Sequence, residues 1–343
     1  MLYKLLKKED YREFINNLVL NYGVLGPKKI NDAVHDFVPV STADEIDLSY
    51  RRTTLPPAKK ILFPSCESLV RYELSGSFKV LPVIESSRAI LFGVSAWDIN
   101  GMNFLDRIFS TDFLDDNYMQ KRRKLTVIGF DCQPSDSNFA VAMGSEYANT
   151  GFDLFFTELE AGYFIRVATA KGASMLIDHS RAADATEGDF KSYNRFMESY
   201  RKKFKVRVDI KDFHDNFESV YNKNPLWDRL SKSCFSCGSC NLTCPTCFCF
   251  NVRDDVMINL KEGIKSRQWD SCMIPEYGLV AGGHNFRPSA SNRLKQRYRC
   301  KLKTFVDKFG YFSCVGCGRC VEACLAQINI YEDINTIKKE VTV

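Results

Sequence analysis

The chain has 343 residues, 45% hydrophobic and 26% charged, with 47 Lys and Arg against 42 Asp and Glu for a net charge of +5. That length suits about two domains, and so mild a charge argues against a chain built to coat nucleic acid. No uncharged apolar run approaches the roughly 18 residues of a membrane span, and the opening MLYKLLKK lacks an apolar signal core, so a cytoplasmic protein is expected whose 14 cysteines serve metal rather than disulfides.

In chain order, residues 9–22 place Tyr11, Phe14, Ile15, Leu18, Val19 and Tyr22 on one face at helical spacing. Residues 23–57 read as loop-rich, with Gly26-Pro27 and Pro56-Pro57 as breakers and only short strands between them. Apolar or β-branched runs at 60–63, 69–74, 89–94 and 125–130 read as strands. Residues 98–109 read as a helix with Asp98 at its N-cap. Residues 152–159 and 163–168 flank Glu160-Ala161-Gly162 as a hairpin, and 171–203 turns helical and polar. Two further amphipathic stretches, 212–221 and 225–230, lead into the first of two cysteine runs.

Those runs carry the chemistry. The first is Cys234-x-x-Cys237-x-x-Cys240-x-x-x-Cys244, and the second is Cys314-x-x-Cys317-x-x-Cys320-x-x-x-Cys324. Three thiolates at three-residue spacing can wrap one cubane, while the fourth is carried away from it to the other cluster, as in bacterial ferredoxins. The expected sets are therefore Cys234, Cys237, Cys240 and Cys324 for one [4Fe–4S] cluster, and Cys314, Cys317, Cys320 and Cys244 for a second. Zinc, which favours separated Cys-x-x-Cys pairs, does not explain a fourth cysteine at the longer spacing in both runs.

Between the runs lies an insertion, about 246–312, that is long for a ferredoxin-like module. Its Cys247, Cys249 and Cys272 could furnish part of another metal site, with Cys300 or His284 as the nearby fourth ligand. The simpler reading is that they pack around the clusters and tune them. The basic stretch 293–308 reads as a solvated helix, with docking to an acidic redox partner or nucleic acid as the functional readings. Cys66 and Cys132 read as small buried residues. No G-x-G-x-x-G or G-x-x-x-x-G-K-[ST] is present, and His35, His179, His214 and His284 are scattered, so no substrate chemistry is assigned.

The run 234–249 with Pro245-Thr246-Cys247, together with Trp269-Asp270-Ser271-Cys272, Ala281-Gly282-Gly283-His284-Asn285-Phe286-Arg287 and the second cysteine run, resembles the iron–sulfur subunit shared by sulfhydrogenase (its beta subunit) and anaerobic sulfite reductase (its A subunit). The resemblance implies a subunit without a substrate site, passing electrons between a flavin- and NAD(P)-binding reductase subunit and a catalytic subunit of sirohaem sulfite reductase or nickel–iron hydrogenase type. Family members carry a Cys before the Asp at the position of Asp98 and an Asn-Cys-x-Cys motif before Met-Gly, which with a Cys like Cys132 look able to hold an N-terminal cluster. Here Trp97 and Asn138-Phe139-Ala140-Val141-Ala142 stand in those places, so that cluster is expected to be absent. Leu325 replaces the proline that usually follows the last ligand, without touching the thiolate.

The resulting expectation is an α+β protein: an α+β partner-docking domain over 1–222, then a ferredoxin-like dicluster domain over 223–343. Its expected role is electron transfer with two [4Fe–4S] clusters in a cytoplasmic, anaerobic redox complex, with no membrane and no nucleic acid. The alternative is a freestanding iron–sulfur sensor or nucleic-acid-binding protein.

Overall fold

Nearly continuous apolar runs mark strands buried on both faces, and two of them form the centre of the molecule. The computed structural model describes residues 1–31, 34–221 and 225–341. Its strands are β1 (Leu2–Leu6), β2 (Val24–Asn31), β3 (Val34–Pro39), β4 (Cys66–Glu73), β5 (Lys79–Pro82), β6 (Ala89–Val94), β7 (Leu125–Phe130), β8 (Leu154–Glu158), β9 (Tyr163–Val167), β10 (Ala183–Asp184), β11 (Phe250–Val256) and β12 (Glu262–Trp269). Eight of them form one mixed sheet in the order β10-β1-β9-β8-β7-β6-β2-β3. Parallel pairing joins β2, β6, β7 and β8, and every residue of β7 is buried. Helices Lys8–Asn21, Ala96–Ile108, Ala170–His179 and Glu187–Lys202 contribute side chains to the same apolar core. The expected helix at 9–22, the three strands at 69–74, 89–94 and 125–130, and the hairpin are all present.

Three expectations need correction. Residues 60–63 are not a strand: Pro57–Leu62 is a helix with proline in its first turn. Proline fixes the helical φ there, and a four-residue apolar run cannot by itself tell strand from helix. The stretch 23–57 contains β2 and β3, longer than expected, with Pro27 accommodated in β2. Ser95, not Asp98, caps the third helix: its side chain accepts from the Asp98 amide at 3.3 Å.

The insertion is built into the body of the molecule. β11 and β12 pair antiparallel with β4 and β5 in a four-stranded sheet of order β11-β12-β4-β5. Buried Arg267 on β12 pairs across that sheet with Glu67 of β4, Nε to Oε2 at 2.8 Å, and ties the sheet to Asp115 outside it. A second core gathers Phe213, Phe217, Leu226, Trp227, Leu294, Tyr298, Leu302 and Ile334 beneath the cysteine runs. Among the described residues no helix is long and apolar enough to cross a membrane.

Candidate metal centre

Both cysteine runs fold into the same unit, a turn followed by a four-residue helix. The helices are Ser239–Leu242 and Arg319–Glu322, each entered through a glycine at φ 78°, Gly238 and Gly318. The left-handed step is one that glycine takes without cost, and a Cβ at Gly318 would stand 2.5 Å from the Ser137 carbonyl. Two residues earlier, Gly316 and Ser236 also take positive φ, 63° and 56°. The less permissive Ser236 is held by Arg293, whose Nη2 donates to its Oγ at 2.9 Å. Backbone amides donate to sulfur, among them Ser236 N to Cys234 Sγ at 3.4 Å and Ile328 N to Cys324 Sγ at 3.3 Å.

The two units interleave. Cys234, Cys237, Cys240 and Cys324 line one cavity. Cys244, Cys314, Cys317 and Cys320 line another, and Cys320 borders both. The structure thus brings all eight expected thiols together in two mixed sets, with the fourth cysteine of each run facing the partner run. The first set is nearer solvent: Cys237 is exposed, and its neighbours Phe235 and Leu325 are 70% and 79% exposed. The second is packed against the large sheet domain. Gly316 O accepts from Phe139 N at 2.8 Å and Val315 O accepts from Ser145 Oγ at 2.5 Å.

Buried cations surround the thiols. Lys59, Lys301 and Arg297 are each at most 5% exposed, and among the described residues none of the three forms an ion pair with a carboxylate. Lys59 Nζ donates to the Cys244 carbonyl at 3.2 Å and lies 4.1 Å over the Trp269 ring. Lys301 Nζ donates to Thr246 Oγ1 at 2.7 Å, and Arg297 Nε donates to Asn241 Oδ1 at 3.2 Å. An unpaired buried cation is costly. Burial draws the Lys301 pKa down, but the charges of Cys244 and Cys247 outweigh it and the net shift is upward. These cations fit a centre that carries negative charge, as thiolate-bound iron–sulfur clusters do.

Not every thiol would supply that charge unaided. Burial pushes Cys240 up to about 11 and Cys314 up to about 12, so their deprotonation requires a metal that displaces the proton. Among the described residues no three His, Cys, Asp or Glu side chains are grouped so as to hold a single metal ion.

The basic stretch is not a solvated helix. Ala290–Arg299 is helical, a π-helical turn follows at Cys300–Thr304, and the helix resumes over Phe305–Phe309. Arg293, Arg297 and Lys301, four residues apart, are buried toward the cysteine units, and only the remaining basic residues meet solvent. The signal was available in that i, i+4, i+8 spacing, but charge patterning alone does not reveal which face is buried.

Sequence reasoning did not link Lys59 or Asp98 to the site. Asp98 pairs with Arg319, immediately before Cys320, through bonds of 2.6 and 2.7 Å. Arg319 also donates to the Thr53 carbonyl at 2.9 Å. At the positions where the family resemblance suggests an N-terminal cluster, Trp97 packs edge-on against Phe204 and Asn138 Oδ1 accepts from the Ala140 amide. Cys132 is buried and donates to backbone carbonyls of Gly93 and Phe130. Cys66 departs from expectation: at the start of β4, it is exposed.

An α+β body carrying a module of two interleaved four-cysteine units defines a ferredoxin-like iron–sulfur protein. Residues 233–328 match the family model of a 4Fe-4S dicluster domain. Over 340 residues, covering 99% of this chain and 99% of the relative, the sequence is 33% identical to Sulfhydrogenase 2 subunit beta of Pyrococcus furiosus. The chain belongs to the family of iron–sulfur subunits that includes this beta subunit, and it is an iron–sulfur electron-transfer subunit.

Proposed function

We propose that the chain relays electrons between a flavin- and NAD(P)-binding reductase subunit and a catalytic subunit of a cytoplasmic redox complex, through two [4Fe–4S] clusters. Cys234, Cys237, Cys240 and Cys324 would hold one; Cys314, Cys317, Cys320 and Cys244 would hold the other. The observation that carries this reading is the pair of adjacent thiol-lined cavities ringed by buried cations without carboxylate partners. When bound, each cluster supplies a one-electron carrier. The chain's own residues fix where those carriers sit and hold their charge. Lys59, Lys301 and Arg297 favour the more negative, reduced form, and the amides on Cys234 and Cys324 act in the same direction.

The rim of Phe235, Cys237 and Leu325 is the solvent-facing edge of the relay, and we assign it to the electron-exchanging partner. The body over 1–222 would then serve as the docking mass for the assembly and 223–343 as the wire. The relative's name, Sulfhydrogenase 2 subunit beta, favours a hydrogenase-type catalytic partner over a sulfite reductase. Oxygen-free purification of the native complex from its host tests this. Co-purification with a flavoprotein and a nickel–iron subunit is the expected result, a sirohaem protein in its place would reassign the terminal reaction, and a chain recovered alone with its iron would overturn the relay.

A further inference from the structure

The first thiol set opens on the rim of Phe235, Cys237 and Leu325, and the second has an opening of its own. A cleft of about 870 Å³ runs along the seam between the large domain and the cysteine module. One wall is the helix Ala96–Ile108 with the segment 143–150, and the other is the stretch 306–312. Lys308 Nζ pairs with Asp112 at 2.6 Å, tying the two walls together. Cys314 and Val315 line both the cleft and the cavity of the second thiol set, so the cleft leads to that set. No residue lining the cleft also lines the cavity of the first set. The two ends of the relay therefore face different surfaces. The volume falls in the range of small-molecule sites, which favour domain seams.

The lining has the chemistry of a planar, anionic ligand. The Tyr311 ring is 38% exposed and is backed by Phe309, with stacked ring centroids 6.1 Å apart. Arg107 lies 5.9 Å over Tyr311 and forms no ion pair with a carboxylate among the described residues. The lining carboxylate, Asp106, is already engaged by Arg122 Nε at 2.9 Å and by the Tyr118 hydroxyl at 2.8 Å. That leaves the Arg107 guanidinium available to a phosphate, beside an aromatic face that suits a flat ring system. A ligand against the second cluster must also exchange electrons singly, because each cubane carries one. Nicotinamide moves its pair as a hydride, whereas flavins handle electrons singly or in pairs.

We infer that this cleft binds a flavin nucleotide, with its isoalloxazine against Tyr311 toward Cys314 and its phosphate on Arg107. This rests on the relay reading above and gives the second cluster a two-electron terminal of its own. Two electrons, one from each cluster, and two protons from solvent convert the oxidised flavin to its reduced form, and the reverse reaction returns them.

The test is an anaerobic fluorescence titration of FMN, and separately of riboflavin, with the reconstituted full chain, and iron analysis of the same samples. Saturable quenching at about one FMN per chain is expected, with riboflavin, which lacks the phosphate, bound roughly tenfold more weakly. Arg107→Glu should weaken FMN by at least about that factor and leave riboflavin unchanged. Thr150→Trp, at an exposed position on the cleft wall, should block both ligands, and both variants should keep about 8 irons. No saturable quenching by a wild-type chain that holds about 8 irons would overturn the site and leave the relay standing, as would FMN binding that neither variant alters. A chain that takes up about 4 irons or fewer would overturn the two-cluster relay and this terminal with it.

Discussion

Cys317→Ser is expected to remove one cluster's iron, about four atoms per chain, and to destabilise the protein more than Cys237→Ser, which removes the same amount. The difference follows from where the two thiols sit. Cys237 is exposed on the rim, and losing a cluster there leaves a cavity that water can enter. Cys317 belongs to the set enclosed by the large domain, and Lys301 and Lys59 lie buried around it. Without the cluster those cations lose their counter-charge, and the energy that metal binding contributes to folding goes with it. Iron analysis and thermal unfolding under anaerobic conditions check both parts. Equal iron loss with a lower Tm for Cys317→Ser supports the assignment, and full iron content in either variant contradicts it.

The second large effect concerns the buried Asp98–Arg319 pair, whose side chains are 0% and 4% exposed. Asp98→Ala should cost roughly 3–5 kcal/mol, because it strands a guanidinium in the interior. In a chain of this size that corresponds to a Tm fall on the order of 10 °C. The pair also aligns the turn between Cys317 and Cys320, so the midpoint potential of the second cluster should shift in Asp98→Ala while that of the first does not. Asp98→Leu combined with Arg319→Met should recover part of the stability, since replacing a whole buried pair with apolar groups is often neutral. A Tm change of about 1 °C or less in the single variant would mean that the pair is not a structural tie.

The thiol chemistry was legible in the sequence because its spacing is local: each cysteine run places its own first three ligands within seven residues. What holds that chemistry in place was not, because it comes from far away in the chain. Lys59 reaches the Cys244 carbonyl from a helix that reads as a strand, and Asp98 reaches Arg319 across more than two hundred residues. Charge patterning misassigned Arg293, Arg297 and Lys301 because a buried cation and a solvated one look alike until the groups facing them are known. β11 was missed for a related reason. Most of its residues are exposed, and Asp254 interrupts the alternation of Phe250, Val252 and Val256 by which strands are recognised. The central strands β6 and β7 had no such ambiguity, being apolar but for Thr126 and buried on both faces.

The most direct test of the relay is an anaerobic redox titration of the purified full chain followed by electron paramagnetic resonance. Interleaved ligand sets that share a wall at Cys320 put the two clusters close together, so reduction should proceed in separate one-electron steps and the signals should broaden one another through spin coupling. Cys237→Ser should abolish that broadening and leave one simple signal. A chain that stays silent on full reduction, or whose signals arise independently and are unchanged in Cys237→Ser, would contradict a relay built on these eight cysteines.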